Sequence, residues 1–105
     1  MLHNLLILLF ALCTMDILSV LEKRSSLRIL LYLLAHEQAN VQTIKTSIRM
    51  GTTSVSSALS LLYQAGLVSF NQKYPYGEKL FSLTSLGKGI AEYVQSIVNL
   101  YQKHT

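Results

Sequence analysis

Between Met50 and Phe70 the chain reads MGTTSVSSALSLLYQAGLVSF, and Thr52, Thr53, Ser54, Ser56, Ser57 and Ser60 crowd its first half without one charged residue. Hydroxyls of this kind donate and accept hydrogen bonds, but they become nucleophiles only beside a positioned base. No such base is evident. His3, His36 and His104 are far apart in the chain and have no orienting partner in sequence, and Asp16, Glu22, Glu37, Glu78 and Glu92 form no paired-carboxylate or metal-ligand motif. The glycines of LGKGI, Gly87 and Gly89, lack the strand–loop–helix setting of a phosphate loop. The single cysteine, Cys13, offers neither an internal disulfide nor metal-ligand spacing, fits a reducing compartment, and reads as a small buried hydrophobe. The sequence therefore predicts a recognition surface rather than an enzyme, with no cofactor and no evident small-molecule ligand.

The elements that must hold these hydroxyls follow from periodicity. Val55, Ala58, Leu59 and Leu62 recur at helical spacing, so the hydroxyl-rich stretch is a helix with an inward apolar stripe. Gly66 stands just past its end, where a residue with positive φ is wanted. Upstream, Ser25 or Ser26 can cap a helix over SLRILLYLLAHEQ, which is apolar nearly all round and so belongs at the centre of the core. Asn40 suits the left-handed conformation that ends helices, and Val41 suits a brief strand pairing. QTIKTSIR is a further helix, with Ile44 and Ile48 inward and Lys45 and Arg49 outward, and Met50-Gly51 is the turn after it. Downstream, two β-rich runs flank YPYGE, a hairpin turn with Pro75 and Gly77. Thr84 or Ser85 then caps a last helix, in which Ile90, Val94, Ile97 and Tyr101 have the spacing of a packing seam.

Bulk composition constrains what these elements can form. A chain of 105 residues is one small domain, with no linker or repeat to divide it. Half of its residues are hydrophobic and only 13 % are charged, against a usual share of about 25 %. So thin a charged layer leaves apolar surface for a partner chain, which predicts an oligomer. The net charge of +4 suits a polyanion partner. The apolar run Leu5–Cys13 is less than half the ~20 residues of a spanning helix, no Lys or Arg precedes it, and extending it admits Thr14, Asp16 and Ser19. It reads as a helix over Leu2–Leu21, either continuous or broken near Thr14, that buries itself on protein, and the expected location is cytoplasmic.

In order, these elements are helix, helix, tight turn, helix, hairpin, helix. That order, with Met50-Gly51 before the helix, Ser54-Val55-Ser56 within it, Leu62 through Gly66-Leu67-Val68 at its end and FSLTSLG after the hairpin, resembles the winged helix-turn-helix of small prokaryotic transcriptional regulators of the MarR-like and PadR-like groups. The resemblance spans about residues 25–98. It departs from the common pattern at Ser57, where a basic residue is frequent, and at Leu62-Tyr63, where an acidic residue usually follows the leucine.

The resemblance implies an α+β, mostly helical fold: a single winged-helix domain with an N-terminal helical extension (1–24), a winged helix-turn-helix core (25–84) and a C-terminal dimerisation helix (85–105). It further implies sequence-dependent binding of double-stranded DNA by a homodimer, with helix 52–65 in the major groove and a wing at 73–79 on the backbone or minor groove. A helix about 10–12 Å across fits a groove about 12 Å wide. The DNA-contacting set is then Thr52, Thr53, Ser54, Ser56, Ser57 and Ser60, with Lys45, Arg49, Lys73 and Lys79 as phosphate contacts and Tyr74 and Tyr76 at the wing tip. Within this set Thr52 also suits a capping role, whereas Thr53 and Ser57 lie opposite the apolar stripe. Lys23, Arg24 and Arg28 fall outside the motif and read as solvated or paired. Leu5, Leu6 and Leu9, with Ile90, Val94, Ile97 and Tyr101, would pair the protomers. Two other readings compete: a winged-helix module that docks its uncharged face on a protein, and a regulator tethered to a membrane by Leu2–Leu21.

Overall fold

The structure is a computed structural model that describes residues 16–72 and 77–104. Along the chain come α1 (Ile17–Glu22), α2 (Ser26–Ala35), α3 (Val41–Ile48), α4 (Thr52–Gln64), β1 (Val68–Gln72), β2 (Lys79–Leu83) and α5 (Ser85–Lys103). α2 is the hub: Ile29, Leu30 and Leu33 are buried, and the helix packs on α1, α3, α4, α5 and β2. Around them close Val20, Ile44, the inward stripe of α4, Leu67, Val68, Phe81 and Ala91. The periodicities of α2 and α4 are thus satisfied by one shared core.

β1 and β2 form an antiparallel hairpin with Phe70 opposite Phe81 and Val68 opposite Leu83. A third, rudimentary strand joins them at Ala39, whose N–H and C=O exchange hydrogen bonds with Phe81 at 3.1 and 2.8 Å. Strand pairing was expected two residues later, at Val41. That residue instead begins α3, because Asn40 is extended (φ −87°) and its side chain accepts from the Thr43 N–H. Asn40 therefore starts a helix rather than ending one, and the preceding helix stops at Ala35, three residues short of the expected Gln38.

Two further caps differ from expectation. Ser25 occupies the N-cap position of α2 in the left-handed region (φ 81°) and makes no side-chain cap bond. Its hydroxyl instead meets that of Ser54 at 2.8 Å. Ser26 is buried and its hydroxyl has no hydrogen-bond partner among the described residues. At the head of α4 the N-cap is Gly51, and Thr52 is the first helical residue with no capping bond.

The junction that sets the hairpin against the helices follows the sequence closely. Gly66 has φ +81° and ends α4. Thr84 caps α5 by accepting from the Gly87 N–H at 3.0 Å, while its hydroxyl donates to the Gly66 carbonyl and its N–H to the Leu67 carbonyl. A Cβ on Gly87 would overlap the Leu67 backbone carbonyl, so only glycine lets α5 approach this turn.

Candidate nucleic-acid interface

Winding α4 at about 100° per residue places Thr53, Ser56, Ser57 and Ser60 on the side away from Val55, Ala58, Leu59 and Leu62. Those four core residues are essentially sealed, at no more than 1 % exposure. Thr52, Thr53, Ser56, Ser57 and Ser60 are all exposed. Ser54 is the exception: it is half-buried and turns toward the start of α2, bonding to the Ser25 hydroxyl and donating to the Arg24 carbonyl at 3.4 Å. Ser54 thus separates from the other hydroxyls named with it, and its role here is to join two helix starts.

The cations sit at both ends of this face. Arg49 is exposed and closes α3 in the left-handed conformation (φ 59°), three residues ahead of Thr52. Lys45 is half-buried one turn earlier. On the hairpin side Lys79 is exposed and lies over the Phe70 ring, 4.7 Å from its centroid. Among the described residues no lysine or arginine forms an ion pair, so no described carboxylate neutralises these positive side chains. The acidic groups are occupied differently: Glu78 accepts from the Asn40 amide at 2.8 Å, and Asp16 caps α1. Lys73, Tyr74 and Tyr76 lie outside the described residues, as do Cys13 and the proposed pairing residues Leu5, Leu6 and Leu9.

Between α4 and the hairpin runs a groove of about 370 Å³, lined by Ser56, Ser60, Tyr63, Phe70, Lys79 and Phe81 among others. Its wall is an aromatic row, Tyr63 to Phe70 to Phe81, with centroids 5.2 and 5.7 Å apart. Tyr63 and Phe70, seven residues apart, meet across the short turn between α4 and β1, and the hairpin register sets Phe70 opposite Phe81; neither is among the site residues that the sequence nominates.

On α5, Ile97 and Tyr101 are 66 and 71 % exposed, and Ile90 and Val94 are half-buried. The expected seam is therefore largely open in a single chain. A second, more exposed register, with Leu86, Tyr93 and Leu100 beside Ile90 and Ile97, went unread although its steps of four and three are visible in the sequence. Among the described residues no helix is long and apolar enough to cross a membrane, and no group of His, Cys, Asp or Glu is arranged to hold a metal ion.

This arrangement of three helices, a two-stranded wing and flanking helices is a winged helix-turn-helix. No protein-family profile matches the chain, and no curated protein matches it in sequence. Solved structures do. The transcriptional regulator homologue protein from Pyrococcus horikoshii OT3 superposes with a TM-score of 0.67 at 18 % identity, covering 82 % of this chain and 87 % of its own. A MarR family transcriptional regulator from Silicibacter pomeroyi DSS-3 gives 0.67 at 15 % identity, over 75 % of this chain and 56 % of that one. Staphylococcus aureus MepR, in a complex with DNA, gives 0.69 at 21 % identity, over 77 % of this chain and 61 % of that one. The chain thus has the winged-helix fold of MarR-type transcriptional regulators, and it spans a little over half the length of the latter two.

Proposed function

We propose that this protein is a homodimeric, DNA-binding transcriptional regulator of the cytoplasm that lays the exposed face of α4 in the major groove of duplex DNA. The observation that carries this reading is the outward display of Thr53, Ser56, Ser57 and Ser60 on the second helix of the helix-turn-helix, opposite a sealed apolar stripe. Hydroxyls exchange hydrogen bonds with base edges, and the threonine methyl can meet the methyl of thymine. They discriminate less than an arginine fork on guanine does, so affinity comes mainly from the unpaired cations on phosphates. Thr52 and Arg49 approach the backbone at the helix start, where the dipole also favours negative charge. Lys79, with Lys73, Tyr74 and Tyr76 of the wing tip, approaches it on the other side.

Dimerisation supplies the second reading helix. The open apolar register of α5 is the surface that pairs protomers, with the Leu5, Leu6 and Leu9 segment as the second contributor. A two-fold arrangement would place the two α4 helices ~34 Å apart on a palindrome-like site. MepR with DNA supplies the precedent for the fold in this role.

The test is fluorescence anisotropy of a labelled random-sequence duplex titrated with the full chain across a salt series. The proposal requires log K to fall linearly with log salt, at a slope of several phosphate contacts. Absence of binding at low salt would reject it in favour of docking on a protein, the reading that the lack of charge on α4 itself supports.

A further inference from the structure

A second groove, of about 400 Å³, opens on the α2–α3 side of the molecule and is lined by Arg28, Leu31, Tyr32, Ser47, Ile48 and Arg49. Two guanidinium-bearing residues remote in sequence, Arg28 and Arg49, thus share one concavity. Both are exposed, and neither has an ion-pair partner among the described residues. Leu31, Tyr32 and Ile48 are only half-buried and form its apolar floor, and Tyr32 stacks on the His36 ring at 4.2 Å. Among the described residues nothing within hydrogen-bonding reach neutralises this pair, so the groove is complementary to an anion.

The identity of that anion follows from where the groove lies. Arg28 belongs to the first turn of α2, and the start of α2 is fastened to the start of α4: Ser25 and Ser54 share a hydrogen bond, and Ser54 also donates to the Arg24 carbonyl. Arg49 is fixed from the other direction. Its own N–H and that of Met50 both donate to the Lys45 carbonyl, and Gly51 then opens α4. The two arginines therefore border the same end of α4, the end that leads into the DNA groove in the reading above. In the duplex-binding reading, a strand of backbone leaving that groove would pass this edge.

We propose that the Arg28–Arg49 groove is a phosphodiester site that grips the DNA backbone flanking the reading helix. The proposal rests on the duplex-binding reading and adds a contact that the sequence placed outside the motif, since Arg28 lies 24 residues before Thr52. Guanidinium forks match phosphate oxygens in pairs, which an ammonium does not. The site carries no base contact, so it positions the protein on any sequence rather than selecting one.

The experiment measures anisotropy of a random-sequence duplex over a salt series for the wild-type full chain, Arg28→Gln, Arg28→Lys, Arg49→Gln and Lys103→Gln. Arg28→Gln and Arg49→Gln should each weaken binding to all sequences alike and lower the slope of log K against log salt by about 1. Arg28→Lys should keep the slope but bind less tightly, because the fork is lost and the charge is not. Lys103→Gln, at the far end of α5, should behave as wild type. Circular dichroism melts verify that each variant is folded. If the wild type binds with a salt slope and Arg28→Gln keeps both slope and affinity, the groove is not part of the interface. If the wild type shows no salt-dependent binding, the duplex reading falls and takes the groove with it.

Discussion

The hydroxyls of Ser25 and Ser54, 29 residues apart, meet at 2.8 Å and fasten the first turn of the central helix α2 to the first turn of α4. Ser25 adopts positive φ to do so, a conformation that a non-glycine residue holds at a cost of about 1 kcal/mol or more. One element that the core already fixes thereby orients the end of the helix that carries the exposed hydroxyls. Ser54→Ala should leave the Ser25 hydroxyl, in a residue only 7 % exposed, without this partner. The expected loss is about 1 kcal/mol, read as a lower urea midpoint at unchanged m-value.

Two glycines of α5 should respond oppositely to the same substitution. Gly87→Ala drives a methyl into the Leu67 carbonyl, so the turn between α4 and β1 must move, and a loss of about 3 kcal/mol or failure to fold is expected. Gly89 meets nothing within 4 Å, so Gly89→Ala should stabilise by about 0.5–1 kcal/mol through helix propensity. Parallel thermal melts of the two variants give the comparison.

Arg49 separates stability from function. Its left-handed conformation at the end of α3 favours glycine, so Arg49→Gly should stabilise the fold by about 1 kcal/mol and raise Tm by about 4 °C. The same change removes a cation beside the start of α4, so duplex affinity should fall. A more stable protein that binds less tightly is the outcome expected from melting and anisotropy on one sample.

How much of this was legible in the sequence depended on the range of the interaction. The inward stripe of α4, the positive φ of Gly66 and the Thr84 cap are local patterns, and each is present where the residues place it. The start of α4 at Thr52 is where the residues place it, but its cap is not: Thr52 satisfies a local capping preference, yet Gly51 takes the N-cap position. Asn40 was misread for a related reason: asparagine suits both ends of a helix, and the Ala39–Phe81 bridge holds the preceding backbone extended. Ser54 could not be told from its neighbours by type, since its partner lies 29 residues away. The Arg28–Arg49 groove was invisible for the same reason, because only the packing of α2 on α3 brings those residues to one concavity.

The α5 surface makes a prediction about assembly. Tyr93, Ile97, Leu100 and Tyr101 are each more than 60 % exposed, an apolar stripe that a lone chain would present to water. Ile97→Glu should preserve the fold, because the side chain is outside the core, and should shift the light-scattering mass from that of a dimer to that of one 11.8 kDa chain. A wild-type protein that is already monomeric at high concentration would reject the pairing role of this stripe.

The most direct measurement of the central claim is duplex binding by Ser57→Glu beside the wild type, at low salt and on the same random-sequence duplex. Ser57 is exposed on the face of α4 opposite the core, so a carboxylate there leaves packing intact and places a like charge against the DNA. The account predicts an unchanged melting curve with binding reduced at least tenfold, which corresponds to about 1.4 kcal/mol. Wild-type affinity in a folded Ser57→Glu protein would mean that this face of α4 does not meet DNA.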